Sequence, residues 1–157
     1  MEIRLTFPTC AIIKKNSATT SYVYKDKHGR LRLRQNSNGG LAPITYYSAA
    51  YKDWAKLAVQ QCLVYRSKHP ELSFPLTGQF NLKCLFYYNR DGIVDLSNLY
   101  EGVQDVLAGN EKWLQLGVDW SIIKDDCTRF IGSHDGSRLI LDYTNPRTEI
   151  TLTPFKW

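Results

Sequence analysis

Five of the seven carboxylates between positions 95 and 126 are of a type and spacing that suit a divalent cation. Asp95, Glu101 and Asp105 fall within Asp95-Leu96-Ser97-Asn98-Leu99-Tyr100-Glu101-Gly102-Val103-Gln104-Asp105-Val106-Leu107, and Asp125-Asp126 form an adjacent pair. At 100° per residue the first stretch makes a two-faced helix: Leu96, Leu99, Val103, Val106 and Leu107 share one arc, while Asp95, Asn98, Glu101 and Asp105 share the other. Carboxylate oxygens hold hard cations such as Mg²⁺, which activate water and neutralise charge developing on a phosphate. Gly102 is expected within that oxygen-rich stripe, where it costs about 1 kcal/mol of helix propensity and allows a close approach by backbone or ligand. The same pattern also suits an ordinary amphipathic helix with Asp95 or Ser97 as N-cap, and an Asp pair suits a turn before a strand.

The other reactive side chains point elsewhere. Cys10, Cys62, Cys84 and Cys127 contain no C-x-x-C pair, and His28, His69 and His134 are equally scattered, so a zinc site is not expected and the cysteines read as small apolar residues. His134-Asp135-Gly136-Ser137-Arg138 offers a histidine as a general base, but its composition reads as a hairpin loop.

Charge divides the chain in two. Residues 1 to 90 hold 14 Lys and Arg against 4 Asp and Glu, whereas residues 91 to 157 hold 6 against 11. A basic surface attracts phosphate polyanions, and an acidic cluster beside it repels them unless it holds a cation, so the two halves together suit a nuclease. No run approaches the roughly 18 apolar residues of a membrane span, and Met1-Glu2-Ile3-Arg4 lacks a signal peptide's apolar run, so a soluble, intracellular protein is expected.

The elements that must position the acids follow from periodicity. At 157 residues with 43% hydrophobic content, one domain is expected. Glu2 to Phe7 alternates as a first strand, and residues 14 to 43 form a polar, basic segment read as a short ribbon and a mobile loop around Arg30-Leu31-Arg32-Leu33-Arg34. Ser48 caps a helix with apolar positions Tyr51, Trp54, Ala55, Ala58, Cys62 and Tyr65, stopped at His69-Pro70. Phe80 to Tyr88 alternates as a long central strand, and a second helix runs from about Leu96 to Leu107. The stretch 108 to 124, with Trp113 and Trp120, is structured but unclassified; its tryptophans suit packing better than stacking on bases. Thr128 to Ser133, Arg138 to Leu141 and Thr148 to Thr153 read as closing strands. The order β, α, β, α, β, β, β predicts an α+β domain with two principal helices on a mainly antiparallel sheet.

Asp95-Leu96-Ser97-Asn98-Leu99, then Asp105-Val106-Leu107, and later Asp125-Asp126, resembles the RusA family of Holliday junction resolvases, whose signature is D-x-D-N-L-x-K-x-x-x-D-x-L followed by a D-D pair. The likeness extends to Phe7-Pro8 and the basic segment after it, the Ser48 helix, the Phe80 strand and the closing strands. It implies a bacterial or phage-encoded cytoplasmic homodimer that nicks four-way DNA junctions with Mg²⁺, or with Mn²⁺ in its place. By matching position it makes Asp95 and Asp126 metal ligands, with Asp125 in support. Two positions depart from the pattern: Ser97 replaces the motif's second acid, and Glu101 stands where lysine is usual. Glu101, one helical turn on from Ser97 at i+4, is a candidate replacement for the acid missing there, and Lys124, Lys14 or Lys15 a candidate for the missing lysine's role. Lys14, Lys15, Arg30, Arg32 and Arg34 are the candidate DNA contacts, and 108 to 124 reads as an insertion. Two alternatives stay open: a junction-binding protein that has lost catalysis, and a different metal-dependent nuclease or phosphodiesterase using the same acids.

Overall fold

The computed structural model describes residues 2–12, 18–89, 94–111 and 114–155. Its centre is a five-stranded sheet. Strands β1 (Ile3–Phe7), β9 (Arg147–Pro154) and β6 (Phe80–Tyr88) lie side by side, each antiparallel to the next, with Leu5 opposite Ile150 and Cys84 opposite the same residue. On its other edge β6 pairs in parallel with two short strands, β7 (Ile131–Ser133) near its start and β8 (Arg138–Leu141) near its end. The architecture is thus the expected α+β, with a mixed sheet that is mostly antiparallel.

The alternation of β6 decides where the core lies. Phe80, Leu82, Cys84, Phe86 and Tyr88 are buried, and the intervening residues are only half-buried, so one face of the sheet carries the helices. Helix α1 (Ala49–Lys68) begins at Ser48, whose hydroxyl accepts the Tyr51 amide at 3.1 Å, and ends at His69. It buries Tyr51, Trp54, Ala55, Ala58, Val59 and Cys62, with the Trp54 ring edge-on to Phe7 of β1 at 6.0 Å. Helix α2 (Leu96–Leu107) buries Leu99, Gly102, Val103, Val106 and Leu107, and its Tyr100 ring meets Phe86 at 5.4 Å. The helices touch where a Cβ on Gly102 would lie 3.3 Å from the Trp54 ring and 3.4 Å from the Ile12 carbonyl oxygen. The close approach expected of this glycine is therefore made by α1 and by the chain after β1. Gly102 thus lies on the packed side of α2 and not in the oxygen-rich stripe expected for it, because Trp54 and the chain after β1 cover it.

Three local expectations change. The turn at 134–137 does not close a hairpin, because β7 and β8 do not pair with each other; both follow the same edge of β6. The break between them is filled by side chains: Ser137 Oγ accepts the Cys84 amide at 2.9 Å, and the Asn81 carboxamide bonds both the amide and the carbonyl of Asp135 at 2.7 and 3.2 Å. The strand expected from Thr128 begins only at Ile131, since the amides of Phe130 and Ile131 turn back to the Cys127 carbonyl. Within 14 to 43, the chain from Ala18 is a paired arm. Strand β2 (Ala18–Ser21) pairs with β5 (Ile44–Tyr47), and β3 (Val23–Lys25) pairs with β4 (Leu31–Leu33). Asp26 and Asn36 hold its turns by accepting downstream amides, so those backbone groups are satisfied without the main sheet.

The stretch 108 to 124 is anchored to the core. Leu107 O accepts the amides of Ile122 and Ile123, Trp120 Nε1 donates to Val106 O at 3.1 Å, and Ile122 and Ile123 are fully buried. Trp120 is thus a core residue, as packing required, while Trp113 lies outside the described residues. Of the cysteines, Cys10, Cys62 and Cys84 are buried and Cys127 is exposed. Among the described residues no helix is long and apolar enough to cross a membrane.

Candidate functional site

Helix α2 carries acids at both ends, and the two ends have different surroundings. Asp95 is the N-cap: its Oδ1 accepts the Ser97 amide at 2.9 Å and the Ser97 hydroxyl at 2.7 Å, and its Oδ2 accepts the Asn98 amide group at 3.4 Å. This is the capping arrangement that satisfies amides otherwise orphaned at a helix start. Ser97, where the family motif has an acid, thus serves as a donor to Asp95.

Ten residues on, about 15 Å along the axis at 1.5 Å per residue, half-buried Asp105 reaches a second group of acids. Its charge is felt by Asp126, which also carries the carboxyl of Asp125 beside it. Burial first, then the hydrogen bond to Asp125, then the charge of Asp105 raise the Asp126 carboxyl above the usual carboxylate range. The hydrogen bond from Asp126 lowers Asp125 in turn. Each carboxyl of the pair thus shifts the ionisation of the other, in opposite directions. Asp125 is exposed and Asp126 half-buried, with the Asp126 amide donating to Asp125 Oδ1 at 2.8 Å.

The other side of Asp105 is enclosed. The Tyr51 hydroxyl of α1 donates to Glu111 Oε1 at 2.5 Å, with both residues fully buried. Burial first, then the hydrogen bond to Glu111 and the charges of Glu111 and Asp105, hold the Tyr51 hydroxyl far above its ordinary range, so it stays protonated. Neither Glu111 nor Tyr51 was legible as part of this end. Tyr51 reads as one of α1's apolar positions, Glu111 falls in the unclassified stretch, and 60 residues separate them.

Of the remaining candidates, Glu101 is exposed on α2 one turn before Asp105, and Lys124 is exposed beside Asp125. Among the described residues no three His, Cys, Asp or Glu side chains stand close enough together to hold a metal ion. Asp126 lies beside Asp125 in the chain and within electrostatic reach of Asp105 near the C-terminal end of α2, whereas Asp95 caps the opposite end of the helix. His134 belongs to neither end. Its ring packs on Tyr100 at 4.5 Å and its Nε2 lies 2.9 Å from the Gln104 amide nitrogen, on the flank of α2 about 100° round from Asp105. With the amide donating, Nε2 accepts and Nδ1 carries the proton. Burial lowers the pKa of this ring despite the opposing charge of Asp135, keeping it neutral.

The basic candidates on the arm are exposed. Arg32 pairs with Asp26 at 3.2 Å, and Arg30 and Arg34 face solvent on either side of it. Lys14 and Lys15 lie outside the described residues. No protein-family model matches the sequence, and no curated protein is significantly similar to it.

Proposed function

We propose that the protein is a Mg²⁺-dependent endonuclease of branched DNA, acting as a homodimer on four-way junctions in the manner of the RusA-like resolvases its α2 motif resembles. The observation that carries this reading is Asp126. It is a half-buried carboxyl whose ionisation is opposed first by burial and then by two acids, its chain neighbour Asp125 and Asp105 of α2. A divalent cation relieves that repulsion, and perturbed acids of this kind concentrate at functional sites. Mg²⁺ needs only one or two protein carboxylates, its remaining positions being taken by water and substrate phosphate, so Asp126 with Asp105 suffices and Asp125 supports the pair. The cation would activate water and neutralise charge on the phosphate. Glu101 is the nearest further acid along α2, Lys124 the nearest cation in sequence, and Mn²⁺ is expected to substitute. Asp95 is the other ligand the family pattern nominates, and Asp95→Asn in a junction-cleavage assay is expected to abolish cleavage if it binds the cation.

The deciding experiment incubates purified protein with labelled four-way junctions and matched linear duplex, with and without Mg²⁺. Paired nicks confined to the junction and dependent on Mg²⁺ are expected. Equal cutting of linear duplex would replace the reading with a general metal-dependent phosphodiesterase. A second reading, junction binding without cleavage, has its own observation. Ser97 stands in place of an acid and both of its donors engage Asp95 Oδ1, committing that carboxylate to the helix cap. Tight junction binding with no cutting in either Mg²⁺ or Mn²⁺ selects it.

A further inference from the structure

The arm formed by residues 18–47 lies outside the five-stranded sheet and combines two features that ordinary surface ribbons keep apart. Its apolar side chains are exposed, with Leu31 at 70%, Leu33 at 59% and Leu41 at 54%, and so are Tyr22, Tyr24 and Tyr46. It also holds Lys25, Lys27, Arg30, Arg32 and Arg34 against a single acid, Asp26. That acid is already engaged: it accepts the amides of His28 and Arg30 and pairs with Arg32.

A cavity of about 530 Å³ opens where the two ribbons of the arm meet. Tyr24 and Tyr46 border it, Leu33 and Ile44 supply apolar surface, and Lys25, Arg34 and Gln35 complete its wall, with no carboxylate among the lining residues. Its volume falls within the ~300–1,000 Å³ of small-ligand sites. The cavity is braced by the arm's own bonds: the Tyr46 hydroxyl donates to Val23 O at 3.4 Å, and the Arg34 amide donates to Tyr22 O at 2.9 Å. The first of these bonds crosses from one ribbon to the other, and the second extends the β3–β4 pairing.

We propose that this cavity binds an unpaired nucleotide of a nucleic-acid strand, the base lying against the Tyr24 and Tyr46 rings and the flanking phosphates meeting Arg34 and Lys25. The chemistry selects this occupant. Every base offers a π-face to a tyrosine, the neighbouring cations match the backbone, and a site built this way accepts single strands with little regard to sequence. Charge argues against an apolar protein segment, which would leave Lys25 and Arg34 desolvated without a partner. The inference deepens the proposed function, since a nuclease of branched DNA meets unpaired bases at the branch point.

The test measures binding of the full-length protein, in EDTA, to a fluorescein-labelled oligothymidylate of about ten nucleotides, within the 4–16 that a site of this kind spans, and to a blunt duplex of the same length. Tyr24 is the informative position, because it is exposed and its removal leaves the bonds bracing the cavity in place. Tyr24→Ala is expected to weaken oligothymidylate binding by about 5- to 100-fold with duplex binding little changed, while Tyr24→Phe, which keeps the ring, binds as wild type. Arg34→Gln should weaken both and reduce the salt slope on the single strand by about 0.7. If Tyr24→Ala binds the oligonucleotide as wild type does, the inference is wrong. It is also wrong if that variant changes only the sedimentation coefficient, which would make the arm a surface between copies of the chain. Cleavage assays on the same variants separate this from the proposed function. Selective single-strand binding by a protein that cuts no DNA keeps the cavity and removes the nuclease; junction cutting with a silent Tyr24→Ala does the reverse.

Discussion

Asp126 and Glu101 carry the sharpest consequences at the scale of single residues. Because folding raises the Asp126 pKa, the native state holds that proton more tightly than the unfolded chain. The group's contribution to stability is therefore present below its ordinary value of 3.8 and is lost as pH rises through the raised one. Asp126→Asn keeps a donor for Asp125 and removes the penalty. At pH 7 in EDTA the variant should have a urea midpoint equal to or above that of wild type, junction affinity unchanged or higher, and no cleavage. Retained cleavage refutes its role as a ligand. Glu101 has solvent around it and Asp105 one turn on. If it supplies a ligand, Glu101→Gln raises the Mg²⁺ concentration for half-maximal cleavage, and Ser97→Asp with Glu101→Lys restores activity non-additively. An unchanged metal titration reduces Glu101 to a surface residue.

At the scale of elements, the α1–α2 contact and the strand break at 134–137 are the features most exposed to mutation. Gly102 leaves 3.3 Å between an added Cβ and the Trp54 ring, and the Ile12 carbonyl closes the other side, so a larger side chain must separate the helices. Gly102→Leu is expected to lose at least about 2 kcal/mol in urea denaturation, within the range of overpacked cores. Leu99→Ala, on the fully buried face, should lose about 2–5 kcal/mol. His134, held neutral against Tyr100 and Gln104, gives the β7–β8 break a pH response. Its pKa is depressed on folding, so the unfolded chain binds the proton more readily, and stability falls as pH drops below about 6.5. In His134→Gln the fall in urea midpoint between pH 7 and pH 5 should be shallower than in wild type. An identical slope would remove His134 from the pH response.

For the whole molecule, the division of charge is the dominant feature. Fourteen cations in the first 90 residues, five of them on the arm, confront eleven acids in the remainder, several of them gathered at the end of α2. A protein that tracks Z duplex phosphates with such a surface loses affinity with salt at a slope of about −0.9Z, so junction binding titrated from 50 to 200 mM salt should weaken steeply. Arm variants such as Arg30→Gln should flatten the slope, whereas Lys124→Gln should alter cleavage more than binding. A flat response in wild type would mean that the charge division does not serve nucleic acid.

The sequence by itself determined the elements whose physics is local. Ser48 and Asp95 fix helix starts through their own side chains, the alternation from Phe80 to Tyr88 fixes a strand half-buried on one face, and the arc of Leu99, Val103 and Leu107 fixes which side of α2 is packed. Tertiary structure alone decided what depends on distant partners. Both β7 and β8 run parallel along β6, because Ser137 and Asn81 satisfy the backbone where a hairpin would otherwise be needed. Trp120, Ile122 and Ile123 enter the core because Val106 and Leu107 at the end of α2 offer carbonyls to them. The acids divide in the same way. Their presence on one stripe of α2 follows from a 100° step, but Asp126 comes under the charge of Asp105 because the chain after Leu107 folds back onto the C-terminal end of the helix, a choice made by burial and hydrogen bonding that no spacing rule contains.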